Sequence, residues 1–265
     1  MFEKYLGNEK RPNDFSKYRH VFCDLDHTIA TFMGGRLQIP TPVVQSINNM
    51  NPRVGFSIST ARCLEEVLEI GGISDIKFRS PLILENGAAI LGPDLKVVKE
   101  HQLSEDVATQ LIEYFKTFNV WKKVVIGGKL LDFENAVKGT RITKIGLQDL
   151  TEQMMDNILE KLSHYSDISY FRSKAAHKPG TSTLDITNIQ ATKHNGVFDV
   201  LKILGIQRDL AVGIGDSDND FSMLEACGLK VAVDNAKPSI LEIADLVIPS
   251  CESGGVTQLL PLLDK

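Results

Sequence analysis

The chain of 265 residues has no apolar run approaching the roughly 18 residues that a membrane-spanning helix needs, and its opening stretch, MFEKYLGNEKRPNDFSKYRH, contains no apolar signal-peptide core. Nor is there a basic excess: 29 Lys and Arg stand against 34 Asp and Glu, a net charge of −5, so neither nucleic acid nor a membrane surface is expected as partner. Cysteine is sparse. Cys23, Cys63, Cys227 and Cys251 are far apart with no CxxC pair, which excludes a disulfide framework or a zinc site and leaves reduced core fillers. Internal repeats and low-complexity tracts are absent. These absences together point to a cytoplasmic location.

What is present is an ordinary globular composition, 43% hydrophobic and 24% charged, with length for one large domain or two modest ones. Short apolar runs alternate with amphipathic stretches, the pattern of a parallel sheet covered by helices. Buried strands are predicted at 20–25 (HVFCDL), 54–59 (VGFSIS), 82–84, 210–215 (LAVGIG), 230–233 and 246–248, with helices in ARCLEEVLEIGG, NDFSMLEACG and KPSILEIAD. The middle differs. From about 93 to 180 the order is a strand (KVV), a helix with Ser104 as N-cap, two strands, a second helix and two more strands. This αββαββ series reads as an α+β domain inserted into an α/β core formed by 1–92 and 181–265, with joints near LGPD and HKPGT.

Two carboxylates, Asp24 and Asp26, follow the first strand directly. In an open parallel sheet ligands bind at the carboxyl ends of strands, and residues two apart share a face, so both are expected to point into one crevice. Carboxylates held close repel unless a cation lies between them or one keeps its proton. The strand at 210–215 likewise runs into GDSDND, with Asp216, Asp218 and Asp220. Phe221 and Cys227 stand where a calcium loop of the EF-hand type needs Gly and Glu, and Asp218 stands where a dinucleotide fingerprint needs its third Gly. Hard oxygen ligands at two strand ends suit Mg²⁺. Thr60, after the second strand, offers a hydroxyl beside free helix N–H groups, and Lys193, at the start of a helix, opposes the helix dipole unless an anion accompanies it.

These four stretches resemble the haloacid dehalogenase superfamily of phosphotransferases over nearly the whole chain: Asp24-Leu25-Asp26-His27-Thr28 matches its D-x-D-x-T, with Thr60, Lys193 and GDSDND as the second, third and fourth motifs. The insert between the second and third motifs resembles the C2B cap of the Cof-like, type IIB branch, on a Rossmann-like doubly wound core. ENGA at 85–88, DNA at 234–236 and the tail VIPSCESGGV are further family-like features. His27 replaces the usual Gly, STAR replaces TGR, and His follows Lys193.

The resemblance implies an Mg²⁺-dependent phosphatase acting on a small phosphorylated metabolite, most readily a sugar phosphate. Asp24 is then the nucleophile, forming an aspartyl phosphate, and Asp26 the acid and base. Asp24, Asp26 through its carbonyl, Asp216 and Asp220 belong to the metal site, and Thr60, Lys193 and Asn219 hold phosphate. A phosphosugar mutase, and a non-catalytic phosphometabolite-binding protein on the same scaffold, stay open as alternatives. Arg172, Lys174, His177 and Lys178 are candidates for contact with the leaving group. Oligomeric state is not legible.

Overall fold

The structure is a computed structural model that describes residues 14–175 and 178–263. In chain order, β1 (His20–Cys23) leads into β2 (Thr31–Met33), β3 (Arg36–Gln38), α1 (Thr41–Asn48), β4 (Gly55–Ile58), α2 (Leu64–Leu68), β5 (Leu82–Leu84), β6 (Ala89–Leu91) and β7 (Val97–Glu100). The middle carries α3 (Glu105–Lys116), β8 (Lys122–Ile126), β9 (Lys129–Leu131), β10 (Ile142–Leu150), α4 (Glu152–Leu162), β11 (Ile168–Lys174) and β12 (Ser182–Asn188). The remainder is α5 (Lys193–Leu204), β13 (Ala211–Gly215), α6 (Phe221–Glu225), β14 (Leu229–Val233), α7 (Pro238–Ile243), β15 (Leu246–Ile248) and α8 (Gly255–Leu263).

Five strands form a parallel sheet in the order β15-β14-β13-β1-β4. Every residue of β1 is buried, as a central strand covered on both faces requires. The chain builds outward from β1 through β4 on one side and, after the insert, through β13 to β15 on the other. The strand order thus reverses at β1, and its carboxyl end opens on the crevice where such sheets bind ligands. Among the described residues no helix is long and apolar enough to cross a membrane.

The insert forms a second five-stranded sheet, antiparallel, in the order β11-β12-β10-β8-β9. Its own apolar core runs from Leu103 to Ile186 and gathers Leu111 and Phe115 of α3 with Met155 and Ile158 of α4. It holds one strand more than the predicted αββαββ, because Gly127 and Gly128, both with positive φ, turn the chain back from β8 into β9. Ser104 occupies the N-cap of α3, but its hydroxyl donates to Asp167 (3.3 Å) instead of accepting from the helix.

Two strands sit elsewhere than expected. Leu82–Leu84 joins the parallel sheet by the isolated Ser59–Ile83 bridge and pairs antiparallel with β6, which in turn pairs with β7, the KVV strand assigned to the insert. By pairing, Val97–Glu100 accordingly goes with the core and Ser182–Asn188 with the inserted sheet, away from the joints expected at 93 and 180.

Candidate active site

The sequence just after β1 turns back on itself: the Ile29 and Ala30 amides both donate to Leu25 O, and His27 N donates to Ala30 O. His27 adopts φ 59°, the left-handed conformation that explains why Gly is usual at this point. Its carbonyl accepts from Asn235 Nδ2 (3.3 Å), so the DNA segment braces the loop. The outcome is a buried Asp24 at the sheet's switch point and a half-exposed Asp26 beyond it.

Lys193 closes the centre. Its Nζ donates to Asp24 Oδ1 (2.6 Å) and to Asp220 Oδ1 (2.5 Å), and all three side chains are buried. The anion that a lysine at a helix start calls for is therefore a pair of carboxylates. Asp220 Oδ2 accepts from the amides of Asp216 and Ser217, each at 3.0 Å, so its oxygens are committed on both sides. Gly215 makes room for that fold-back, since a Cβ there would press on Asp220. Thr28, of the first motif, reaches Asp24 Oδ2 (3.5 Å) and Asp216 Oδ1 (3.4 Å) through long hydrogen bonds.

Ligand atoms of Asp24, Asp216 and Asp220 lie within 4.8 Å of one another. Three carboxylates around one ammonium leave a negative surplus. Burial and Asp220 push Asp24 well above the ordinary carboxylate range against the pull of Lys193, and burial with Asp220 lifts Asp216 to about 6. Such a cluster, built wholly of hard oxygen donors, fits a divalent cation of the Mg²⁺ kind. Asp218 stands apart: Lys237 (2.6 Å) and Ser239 (2.7 Å) hold it at the surface.

Asp26 is gripped by a residue that the sequence reading passed over. Arg62 donates from Nε to Asp26 Oδ2 (2.9 Å) and from Nη2 to Oδ1 (2.7 Å), a forked pairing. Arg62 is the last residue of STAR, and Thr60 starts the same turn: Thr60 Oγ1 accepts from Arg62 N (3.2 Å). The ENGA turn lies against this loop, with Asn86 N donating to Thr60 O and Glu85 N to Arg62 O. Glu85, Asn86 and Gly87 all have positive φ, and a Cβ on Gly87 would overlap the carbonyl of Thr192, next to Lys193. The Glu85 carboxyl is buried with no hydrogen-bond partner, and burial raises it to about 7.

The antiparallel sheet closes over this centre. Lys144 of β10, buried, donates to Ala61 O (3.0 Å) and lies 3.7 Å from both Glu66 of α2 and Asp185 of β12. The β8–β9 turn meets the start of α2, where Glu65 N donates to Gly128 O (3.0 Å). Two chambers remain between sheet and core. One, about 200 Å³, has Lys193, Asn219, Asn86 and Tyr170 in its walls; the other, about 320 Å³, has Asp26, Arg62, Lys144, Asp185 and Trp121. Asn219 accepts from Ser217 Oγ (2.7 Å). Arg172 is engaged with Glu152, Lys178 lies 3.9 Å from Asp149, and neither they nor Lys174 line these chambers; His177 lies outside the described residues.

The chain thus combines a parallel core sheet with acidic strand ends and a second sheet that roofs them. Residues 21–131 and 129–260 match the haloacid dehalogenase-like hydrolase family, and the chain belongs to it. It is 25% identical over 244 residues to a phosphoglycolate phosphatase of Methanopyrus kandleri, covering 91% of this chain and 94% of that one. Among solved structures it is similar to BT1666 of Bacteroides thetaiotaomicron, a haloalkanoate-superfamily phosphatase (TM-score 0.77, 17% identity, 96% and 97% covered). It is also similar to the subclass IIB sugar phosphatase BT4131 (TM-score 0.72, 18% identity, 92% and 98% covered). Family and relatives make the chain an enzyme of the phosphoric monoester hydrolase class.

Proposed function

We propose that the protein is an Mg²⁺-dependent phosphatase of a small phosphomonoester, a phosphorylated sugar, working through an aspartyl phosphate on Asp24. The observation that carries this reading is the convergence on Asp24 of Lys193 and of two further carboxylates, with Asp26 held by Arg62 on the chamber side. Phosphoryl transfer needs little covalent help and much positioning and charge neutralisation.

In the first step a carboxylate oxygen of Asp24 bonds to phosphorus as the ester P–O bond breaks, and Asp26 gives its proton to the departing oxygen. In the second, Asp26 takes a proton from water as that water attacks phosphorus and returns Asp24 as carboxylate. Lys193 favours the ionised form of Asp24, opposing the burial and the Asp220 charge that raise it. Asp24, Asp216 and the Asp26 carbonyl would hold the metal, and Asp220, already saturated by Lys193 and two amides, would orient it from outside. Bound Mg²⁺ supplies neutralisation of the phosphoryl oxygens and of the surplus carboxylate charge. Thr60, Lys193 and Asn219 take the phosphoryl oxygens, and the inserted domain excludes water.

Purified protein with Mg²⁺ should release inorganic phosphate from hexose phosphates, and Asp24→Asn should lower kcat by roughly 10⁴-fold or more. An Asp24→Asn enzyme as fast as wild type removes the nucleophile assignment.

A further inference from the structure

The chamber beside Asp26 has a charge pattern that bears on what can leave through it. The Nε and Nη2 donors of Arg62 are committed to Asp26. Lys144 is the remaining cation among the described lining residues, and it faces two carboxylates, Glu66 and Asp185, each 3.7 Å away. Around Lys144 two carboxylates thus outnumber one ammonium, and this part of the wall is left with a negative surplus. Lys144 is also almost wholly buried against Ala61 O, whereas the Glu66 and Asp185 side chains are 29% and 26% exposed and so reach the chamber. Trp121 lines the same space beside Gly146, where even a single added carbon would come within 3.6 Å of the indole and 3.4 Å of Asp185 Oδ1. Gly146 thus leaves one part of the ring and the carboxylate uncovered.

We propose that Asp185 and Glu66 are the specificity-determining residues of this chain: they accept hydroxyls of an uncharged polyhydroxylated leaving group laid against Trp121, and they repel a leaving group that carries a carboxylate. The inference rests on the phosphatase reading and sharpens it, because it separates sugar and sugar-alcohol phosphates from phosphoglycolate and phosphoglycerate. A buried hydroxyl of a sugar gains a charge-assisted hydrogen bond from such acceptors, while a second carboxylate set among them meets like charge, with no uncommitted cation among the described residues of the wall. Aromatic faces pack the apolar C–H side of a sugar ring.

The test is the ratio of kcat/KM for glucose 6-phosphate to that for 2-phosphoglycolate, measured at pH 7.5 with Mg²⁺ in wild type, Asp185→Asn and Glu66→Gln, with p-nitrophenyl phosphate as a reporter of turnover. Because a ratio is read within each preparation, a smaller folded fraction cancels. Wild type should favour the hexose ester by about tenfold or more, and each substitution should shrink the ratio by about fivefold through a gain on phosphoglycolate. A wild-type ratio at or below unity, or one that neither variant moves, overturns the inference while leaving the phosphatase reading intact. Should one variant fail to fold, the wild-type ratio and the other variant still decide. Absence of turnover on all three esters removes the phosphatase reading, and this inference with it.

Discussion

Arg62 Nε and Nη2 clasp the two oxygens of Asp26 at 2.9 and 2.7 Å, while the Arg62 carbonyl accepts from Glu85 N at 3.0 Å. One residue thus ties the first motif, the second motif and the ENGA turn together. Burial works against the Arg62 charge, but the adjacent carboxylates more than offset it and hold the guanidinium above its usual value. A forked pairing fixes both the position and the rotation of the Asp26 carboxyl, which a lysine cannot do.

On the acid role proposed for Asp26, Arg62→Lys is expected to lower kcat by about tenfold and Arg62→Ala by about a hundredfold, since misplacing a catalytic group by an ångström costs on that order. KM should move much less than kcat. The pair is about one-third exposed, so the melting temperature should hardly change; steady-state kinetics with a thermal melt check both parts.

Metal removal gives a second expectation. The Asp24, Asp216 and Asp220 cluster repels itself, so a bound divalent cation stabilises the native state by mass action. Mg²⁺ at about a hundred times its dissociation constant should add about 3 kcal/mol and raise the melting temperature by several degrees, and EDTA should reverse this. Asp216→Asn should abolish most of the Mg²⁺-induced rise. A melting curve insensitive to Mg²⁺ in wild type would sink the metal assignment.

Glu85 sets a pH dependence. Its carboxyl is raised by burial to about 7 in the folded protein, against 4.5 as the reference value. Between those values the native state keeps a proton that the unfolded chain has lost, so stability falls as pH rises through the window, and the cost is fully present above it. The full shift corresponds to roughly 3 kcal/mol. Glu85→Gln should stabilise by about 2 kcal/mol at pH 8 and by almost nothing at pH 4.5, read from denaturant midpoints at the two values. A gain independent of pH would mean that ionisation of this group is not the cause.

Gly87→Ala should act at a distance along the chain. The φ of 105° is strained for alanine, and the added carbon meets the Thr192 carbonyl, which precedes Lys193. A destabilisation of about 1–3 kcal/mol is expected, together with a fall in kcat larger than that of Gly34→Ala, where an added carbon meets nothing. Comparing the two variants separates loss of Lys193 placement from a general glycine effect.

How much of this was legible depends on the range of each interaction. β1 and β13 were readable because a buried apolar run followed at once by aspartates is a local pattern, α2 showed in its apolar spacing, and α6 and α7 were marked by Gly228 at one end and Pro238 at the start. The β2–β3 hairpin was not read, although Gly34-Gly35 marks its turn, because Phe32 and Met33 are exposed and mimic no half-buried strand. α8 was missed because Pro261 interrupts its interior. Arg62 stood beside a recognised motif, yet its partner lies 36 residues back, and the approach of Lys144 to Ala61 spans 83 residues between two domains. No period or spacing encodes such contacts. Thr28 was visible as the last letter of a motif, and its bonds to Asp24 and Asp216 give that letter a reason.

The two passages between the sheets have a consequence of their own. Asn188 Nδ2 donates to Gln102 O at 2.8 Å, so the outgoing and returning segments are stitched side by side. An insertion that departs and returns at adjacent points leaves the order of the parallel strands untouched whatever its size. The five parallel strands therefore keep the order β15-β14-β13-β1-β4 although the whole antiparallel sheet is spliced into the chain between β4 and β13.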